Sequence, residues 1–311
     1  MRRDGPVLVI GASGIDIKGR PSHSLQMGTS NGGVVRNSVG GVARNIAENL
    51  ARLEVPTILL SAVGQDHTGD FLLQHTAAAG VDTSHVLRLP DRHTGSYVAI
   101  LDENGQLVVA VSEYDIVREI GPAYLQRCRA LFARAAMIVL DGNLTPRTLE
   151  SVFRWANRYE VPVCADPTSP ALATKFIPYL SDLLMVAPDA SEAAVLCGAA
   201  QPPTTSAEAI ATAQCLVSLG VEIAIVTMAE QGLAYADGSS AGHIPALRTK
   251  VVDPTGTGDA VTAAVIFGLL QEMPIDEAVR LGVSAGALTL RTRETVAPDL
   301  SLDRLYDALI V

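Results

Sequence analysis

The chain has 311 residues, with 23 Lys and Arg against 33 Asp and Glu, for a formal net charge of −10. Hydrophobic residues make up 48% and charged residues 18%, which excludes a disordered or fibrous chain. The acidic balance argues against nucleic acid or an anionic membrane as partner, since either calls for a basic face.

The opening stretch, MRRDGPVLVIGASG, carries two arginines but only a short apolar run, too short for a signal peptide. No stretch approaches the roughly 18 apolar residues of a membrane helix, so a cytoplasmic protein is expected. Aromatics are 4%, so the core should be built of Ala, Val, Ile and Leu. Apolar runs bounded by Gly, Pro or Asp recur at 7–11, 57–64, 136–142, 161–167, 182–188 and 222–228, and suit strands covered on both faces. Helical periodicity lies between them. At 42–53, Val42, Ile46, Leu50 and Leu53 share one face; 205–218 opens with Thr205 and Glu208 at capping-box spacing; 257–271 and 276–291 read as two long helices. This alternation predicts an α/β fold, a central mostly parallel sheet flanked by helices, in one domain spanning 1–311.

Two segments break the rhythm. Residues 14–36 are rich in Gly, Ser, Thr and Asn, and 94–111 read as two strands joined by a turn at Asp102–Gly105. Together they are expected to form a small β-sheet lid; an ordinary excursion at a sheet edge is the other reading. Cys128, Cys164, Cys197 and Cys215 show no metal-site spacing and are expected to be buried, reduced thiols.

The stretch Asp253-Pro-Thr-Gly-Thr-Gly-Asp259 runs straight into an apolar helix. Glycines before a helix let backbone N–H groups converge on an anion, and the helix N-terminus adds positive potential. Asp259 would sit beside such an anion, where it could take a proton from an attacking hydroxyl. A turn with a helix-capping acid is the plain alternative. A second glycine–helix junction, Gly40-Gly41-Val-Ala-Arg-Asn45, allows close approach of a ligand and offers a carboxamide to hydroxyls. Asp16 follows the first strand, at the edge where open α/β sheets bind ligands.

Taken together, these junctions resemble the ribokinase-like, PfkB-type sugar and nucleoside kinases over essentially the whole chain. The resemblance implies Asp259 as catalytic base and Gly256, Thr257 and Gly258 as an anion hole. Asp16, Gly40, Gly41 and Asn45 fall where that family grips sugar hydroxyls, and Thr227, Gly232 and Asp189 where it meets ATP. Glu192 falls where the family organises Mg²⁺ through water, although Ala187 and Asp189 replace the asparagines usual in that element. Asp253 is left as a ligand for K⁺, but Arg291–Thr295 lacks the glycine usual near that site. Local segments at 29–31, 38–53, 60–70, 139–144 and 294–301 are most similar to pseudouridine kinases, which adds Asn31 and Asn143 as nucleoside contacts. The expected activity is ATP- and Mg²⁺-dependent phosphorylation of a primary hydroxyl on a nucleoside, pseudouridine first, or on ribose, fructose or 2-keto-3-deoxygluconate. The expected partners are that small molecule and a second copy of the chain through the lid. A silent, ligand-sensing fold-mate would need damage to the base or its loop. A nicotinamide enzyme lacks the third glycine at Gly11–Gly14.

Overall fold

The computed structural model describes residues 4–310. An eight-stranded sheet runs, in spatial order, Ala241–Ile244, Leu233–Asp237, Ile223–Thr227, Met185–Val186, Val163–Asp166, Met137–Asp141, Val7–Ile10 and Thr57–Leu60. The strands from Ile223–Thr227 to Thr57–Leu60 pair in parallel, and the first two close the edge antiparallel. Alternation along Val7–Ile10 sends Leu8 and Ile10 into one apolar cluster and Val7 and Val9 into another. Both clusters are covered by helices, so the sheet is buried on both faces, as the continuous Val/Ile/Leu runs imply.

The apolar run 57–64 divides. Thr57–Leu60 stays in the large sheet, the Ser61 hydroxyl donates to the Gly11 carbonyl, and Ala62–Gly64 pairs instead with Leu87–Leu89. The edge hairpin 233–244 is not announced by the sequence, because LAYAD alternates too weakly to separate a strand from a loop. Helices Thr257–Leu270 and Ile275–Thr289 occupy their expected places. They pack so closely that a Cβ at Gly268 would lie 2.5 Å from the Ala278 Cβ.

A separate four-stranded sheet holds Gly33–Gly40, Gly14–Pro21, Gly95–Leu101 and Leu107–Glu113, in that order. Its strands run somewhat past the expected limits at 36 and 111. The Asp102 carboxylate accepts from the Asn104 and Gln106 N–H groups and closes the expected turn. Pairing register puts Asp16 beside Ser38 and Tyr97 on one face. Ile17, Val98 and Val111 lie on the other. Helix Ser206–Ser218 carries the expected capping box between Thr205 and Glu208. All four cysteines are free; Cys128 and Cys164 are buried, whereas Cys197 and Cys215, on a helix end and a helix flank, are only half-buried. Among the described residues, no helix is long and apolar enough to cross a membrane.

Candidate active site

Two neighbouring parallel strands end in acids. Asp141 and Asp166 are the last residues of their strands, and both are buried. The carboxylate of Asp141 accepts from the Ala12 N–H at 2.7 Å, the Ala43 N–H at 3.2 Å and the Asn143 N–H at 2.9 Å. It thereby ties the end of the first strand to the start of helix Val42–Arg52. Neither Asp141 nor Asp166 stands out in the sequence, since each is simply the polar residue after an apolar run.

Helix Thr257–Leu270 starts at the same edge. Gly256 caps it in the left-handed region at φ 82°, and a Cβ there would lie 1.9 Å from the Thr295 carbonyl oxygen, so only glycine fits. No side chain caps this helix; the Thr257 N–H turns to the Pro254 carbonyl at 3.3 Å, which leaves the Gly258 and Asp259 N–H groups for an anion. A Cβ at Gly258 would meet nothing within 4 Å, and the buried Thr257 hydroxyl has no hydrogen-bond partner. An open space, free N–H groups and an orphaned hydroxyl together fit a phosphate.

Asp259 lies in the first turn and is buried. Its Oδ2 accepts from Asn45 Nδ2 at 2.6 Å. Burial pushes its carboxyl up to about 7; Asp16 and Asp141 add to the rise, while the Asn45 hydrogen bond and Arg44 oppose it. Asp16 is likewise raised by burial, to about 6, against the pull of Lys18 and Arg44. Asp166 is held well above the carboxylate range by burial and by the charges of Asp259 and Glu192. These acids form one interacting group.

The expected acceptor residues assemble around it. A Cβ at Gly40 would lie 2.5 Å from Asp16 Oδ1, so the bare glycine lets that carboxylate in. Gly41 caps helix Val42–Arg52 at φ 95°. Asn45 differs in part from its expected role. Arg44 occupies its carbonyl oxygen and Asp259 takes one amide hydrogen, leaving one hydrogen for a substrate hydroxyl. Asn143 follows the Asp141 strand and stands beside the acids. Asn31 lies in the connection between strands Gly14–Pro21 and Gly33–Gly40. Its Oδ1 accepts from the Gln26 N–H, and its Nδ2 donates to the Gln26 and Thr29 carbonyls, so the amide closes its own loop.

Thr227, Gly232 and Asp189 line one cavity of about 920 Å³ together with Thr257 and Gly258. Asp189 and Glu192 form a capping box at helix Ala190–Leu196: Glu192 Oε2 accepts from the Asp189 N–H at 2.9 Å, and Asp189 Oδ1 from the Glu192 N–H at 2.8 Å. Glu192 is buried and raised to about 7, first by burial and then by Asp189. Asp253, the residue expected as a K⁺ ligand, lies beside Lys18. Both of its carboxylate oxygens accept from Lys18 Nζ, at 2.7 and 2.6 Å, so an ammonium already neutralises that position. Lys18 also donates to Thr255 and shares the Asp16 face of its strand. The contact spans 235 residues of chain, and nothing local in the sequence marks it.

The pattern for pfkB family carbohydrate kinases matches residues 6–301. The chain is similar to a pseudouridine kinase of Escherichia coli (strain K12), 34% identical over 304 residues, covering 97% of this chain and 96% of that protein. It is 29% identical over 301 residues to a guanosine-inosine kinase of Exiguobacterium acetylicum, covering 96% and 99%. Among solved structures, a carbohydrate kinase from Agrobacterium tumefaciens superposes with a TM-score of 0.84 at 29% identity, covering 98% of this chain and 97% of that one.

Proposed function

The chain belongs to the pfkB family of carbohydrate kinases, and on that premise we propose that it phosphorylates the 5′-hydroxyl of a nucleoside, pseudouridine foremost. At family level it is an ATP-dependent phosphotransferase acting on a sugar or nucleoside hydroxyl. The observation that carries the chemistry is Asp259, ordered by Asn45 beside an uncapped helix start. The nucleoside is supported by the near full-length likeness to two nucleoside kinases.

The nucleotide takes the large cavity, with its γ-phosphate at the N–H groups of Gly258 and Asp259 and the Thr257 hydroxyl. Asp16 and the spare Asn45 hydrogen grip the acceptor's hydroxyls. The acceptor oxygen forms the new bond to phosphorus while its proton passes to Asp259. The bond from the γ-phosphorus to its bridging oxygen breaks, and that electron pair leaves with ADP. Mg²⁺, when bound, neutralises charge on the transferring group. Among the described residues, no three His, Cys, Asp or Glu side chains form a metal cluster, so the nucleotide phosphates would carry the ion, with Asp166 and Glu192 reaching it through water.

The smaller sheet acts as a lid in this reading, because Asp16 and Lys18 point from it toward the acid cluster and the anion loop. Its opposite face exposes Val35, Val98, Val109 and Val111, and pairs with a second copy of the chain. Free cysteines suit a reducing cytoplasm.

A coupled ADP-release assay across pseudouridine, uridine, adenosine, ribose, fructose and 2-keto-3-deoxygluconate tests the acceptor. Pseudouridine should lead ribose by at least about tenfold in kcat/KM. Ribose or the keto-sugar acid in first place would remove the nucleoside reading and leave phosphoryl transfer standing.

A further inference from the structure

Arg44 is the largest of the fully buried side chains, and the transfer step described above makes no use of it. A guanidinium removed from water must find partners for its donors. Nε donates to Asn45 Oδ1 at 3.1 Å, and Nη2 reaches the same oxygen. Nη2 also meets the Val39 carbonyl at 3.2 Å and Thr295 Oγ1 at 2.8 Å, while Nη1 donates to Glu48. Two guanidinium donors on one carboxamide oxygen settle which way Asn45 faces. Turned over, the amide would set its own N–H groups against the guanidinium. Its amino group is therefore held toward Asp259 Oδ2, which leaves Oδ1 for a proton from the acceptor.

We propose that Arg44 is a positioning residue for phosphoryl transfer, fixing the Asp259 carboxylate through the Asn45 amide. This rests on Asp259 being the base. The remaining charges around Asp259 sharpen the expectation. Asp16 and Asp141 raise Asp259, Asp166 and Glu192 are coupled to it, the Tyr114 phenol lies within the same field, and Lys18 acts on Asp16. Arg44 is the cation in this group that acts on Asp259 itself. Glu48 offsets Arg44 from the far side, and Arg52 and the half-exposed His75 lie against Glu48. Removing the Arg44 charge should therefore make Asp259 harder to ionise. Removing the Glu48 charge should make it easier, since less of the Arg44 field is cancelled.

The test compares Arg44→Gln, Arg44→Lys, Glu48→Gln and Asp259→Asn, with the pH profile of kcat/KM, kcat and ATP affinity as readouts. Arg44→Gln should lower kcat by about 10–100-fold, the scale of a misplaced catalytic group, with ATP affinity unchanged. Its pH midpoint should rise by roughly one unit. Arg44→Lys should restore the midpoint but not kcat, because it keeps the charge and loses the fork. Glu48→Gln should move the midpoint down. Arg44→Gln with kcat and midpoint both intact, whatever its thermal stability, would overturn the proposal. If that variant does not fold, Glu48→Gln decides alone, and an unmoved or rising midpoint is then the overturning result. Full turnover in Asp259→Asn would instead remove the base itself, a failure separable from this one.

Discussion

In the proposed reaction Asp259 carries the chemistry by virtue of place as much as type. A carboxylate in water would be a weak base here, but burial among other acids raises it to about 7. Replacing it with Asn keeps the shape and removes the proton acceptor. Phosphorylation should then fall by about two to four orders of magnitude while ATP still binds, which a rapid-quench assay beside calorimetric titration would register. Near-normal turnover would contradict the assignment. Since the ionised form accepts the proton, kcat/KM in the wild type should rise with pH through about 7 and then level. A profile flat from pH 5.5 to 8.5 would place the base elsewhere. Asp259, Gly256 and Gly258 were legible in the sequence because their meaning is local: glycines, then an acid, then a helix. Arg44, Lys18, Asp141 and Asp166 were not, because each owes its role to distant partners. Arg44 meets Thr295 across 251 residues, and Asp141 meets Ala12 across 129. Asn31, expected at the substrate, has its amide bonded within its own loop.

At the scale of elements, the proposed reaction gives the positioning to the glycine loop and the smaller sheet, and each is open to test. Gly256→Ala must fit a Cβ 1.9 Å from a backbone oxygen in a left-handed conformation, and should cost about 1–3 kcal/mol or more of stability. Gly258→Ala meets no atom within 4 Å, so thermal unfolding should scarcely move. Its methyl group would stand where the proposed reaction puts the phosphoryl group, however, and kcat should drop more than about tenfold. Equal loss of stability in both variants would mean the loop is only a turn. The Lys18–Asp253 pair joins the strand bearing Asp16 to that loop, with both side chains partly buried. Lys18→Met should weaken the joint by about 1 kcal/mol, roughly fivefold in acceptor KM, and speed hydrogen exchange in Gly14–Pro21. Unchanged exchange and unchanged KM would deny the joint. The parallel strands were readable because burial on both faces leaves unbroken apolar runs. The split at Ser61 and the hairpin 233–244 were hidden, because pairing partners decide them and composition does not.

Across the whole molecule, one arrangement recurs. The large sheet is buried on both faces, and two of its strands end in acids at a single edge, the setting in which open parallel sheets bind ligands. The outer strands of the smaller sheet are left bare, with Val35 70% exposed and Val111 67%. Pairing of two copies through that face predicts a dimer by sedimentation. Val111→Asp should shift it to monomer without lowering thermal stability, and a wild-type monomer would refute the pairing. The central claim is transfer of a phosphoryl group from ATP to a nucleoside hydroxyl by Asp259, and ³¹P NMR of the protein with ATP, Mg²⁺ and pseudouridine tests it most directly. A phosphomonoester should grow in equal step with ADP in the wild type, and neither should grow in Asp259→Asn. ADP without the ester, or the ester at full rate in the variant, would contradict the account.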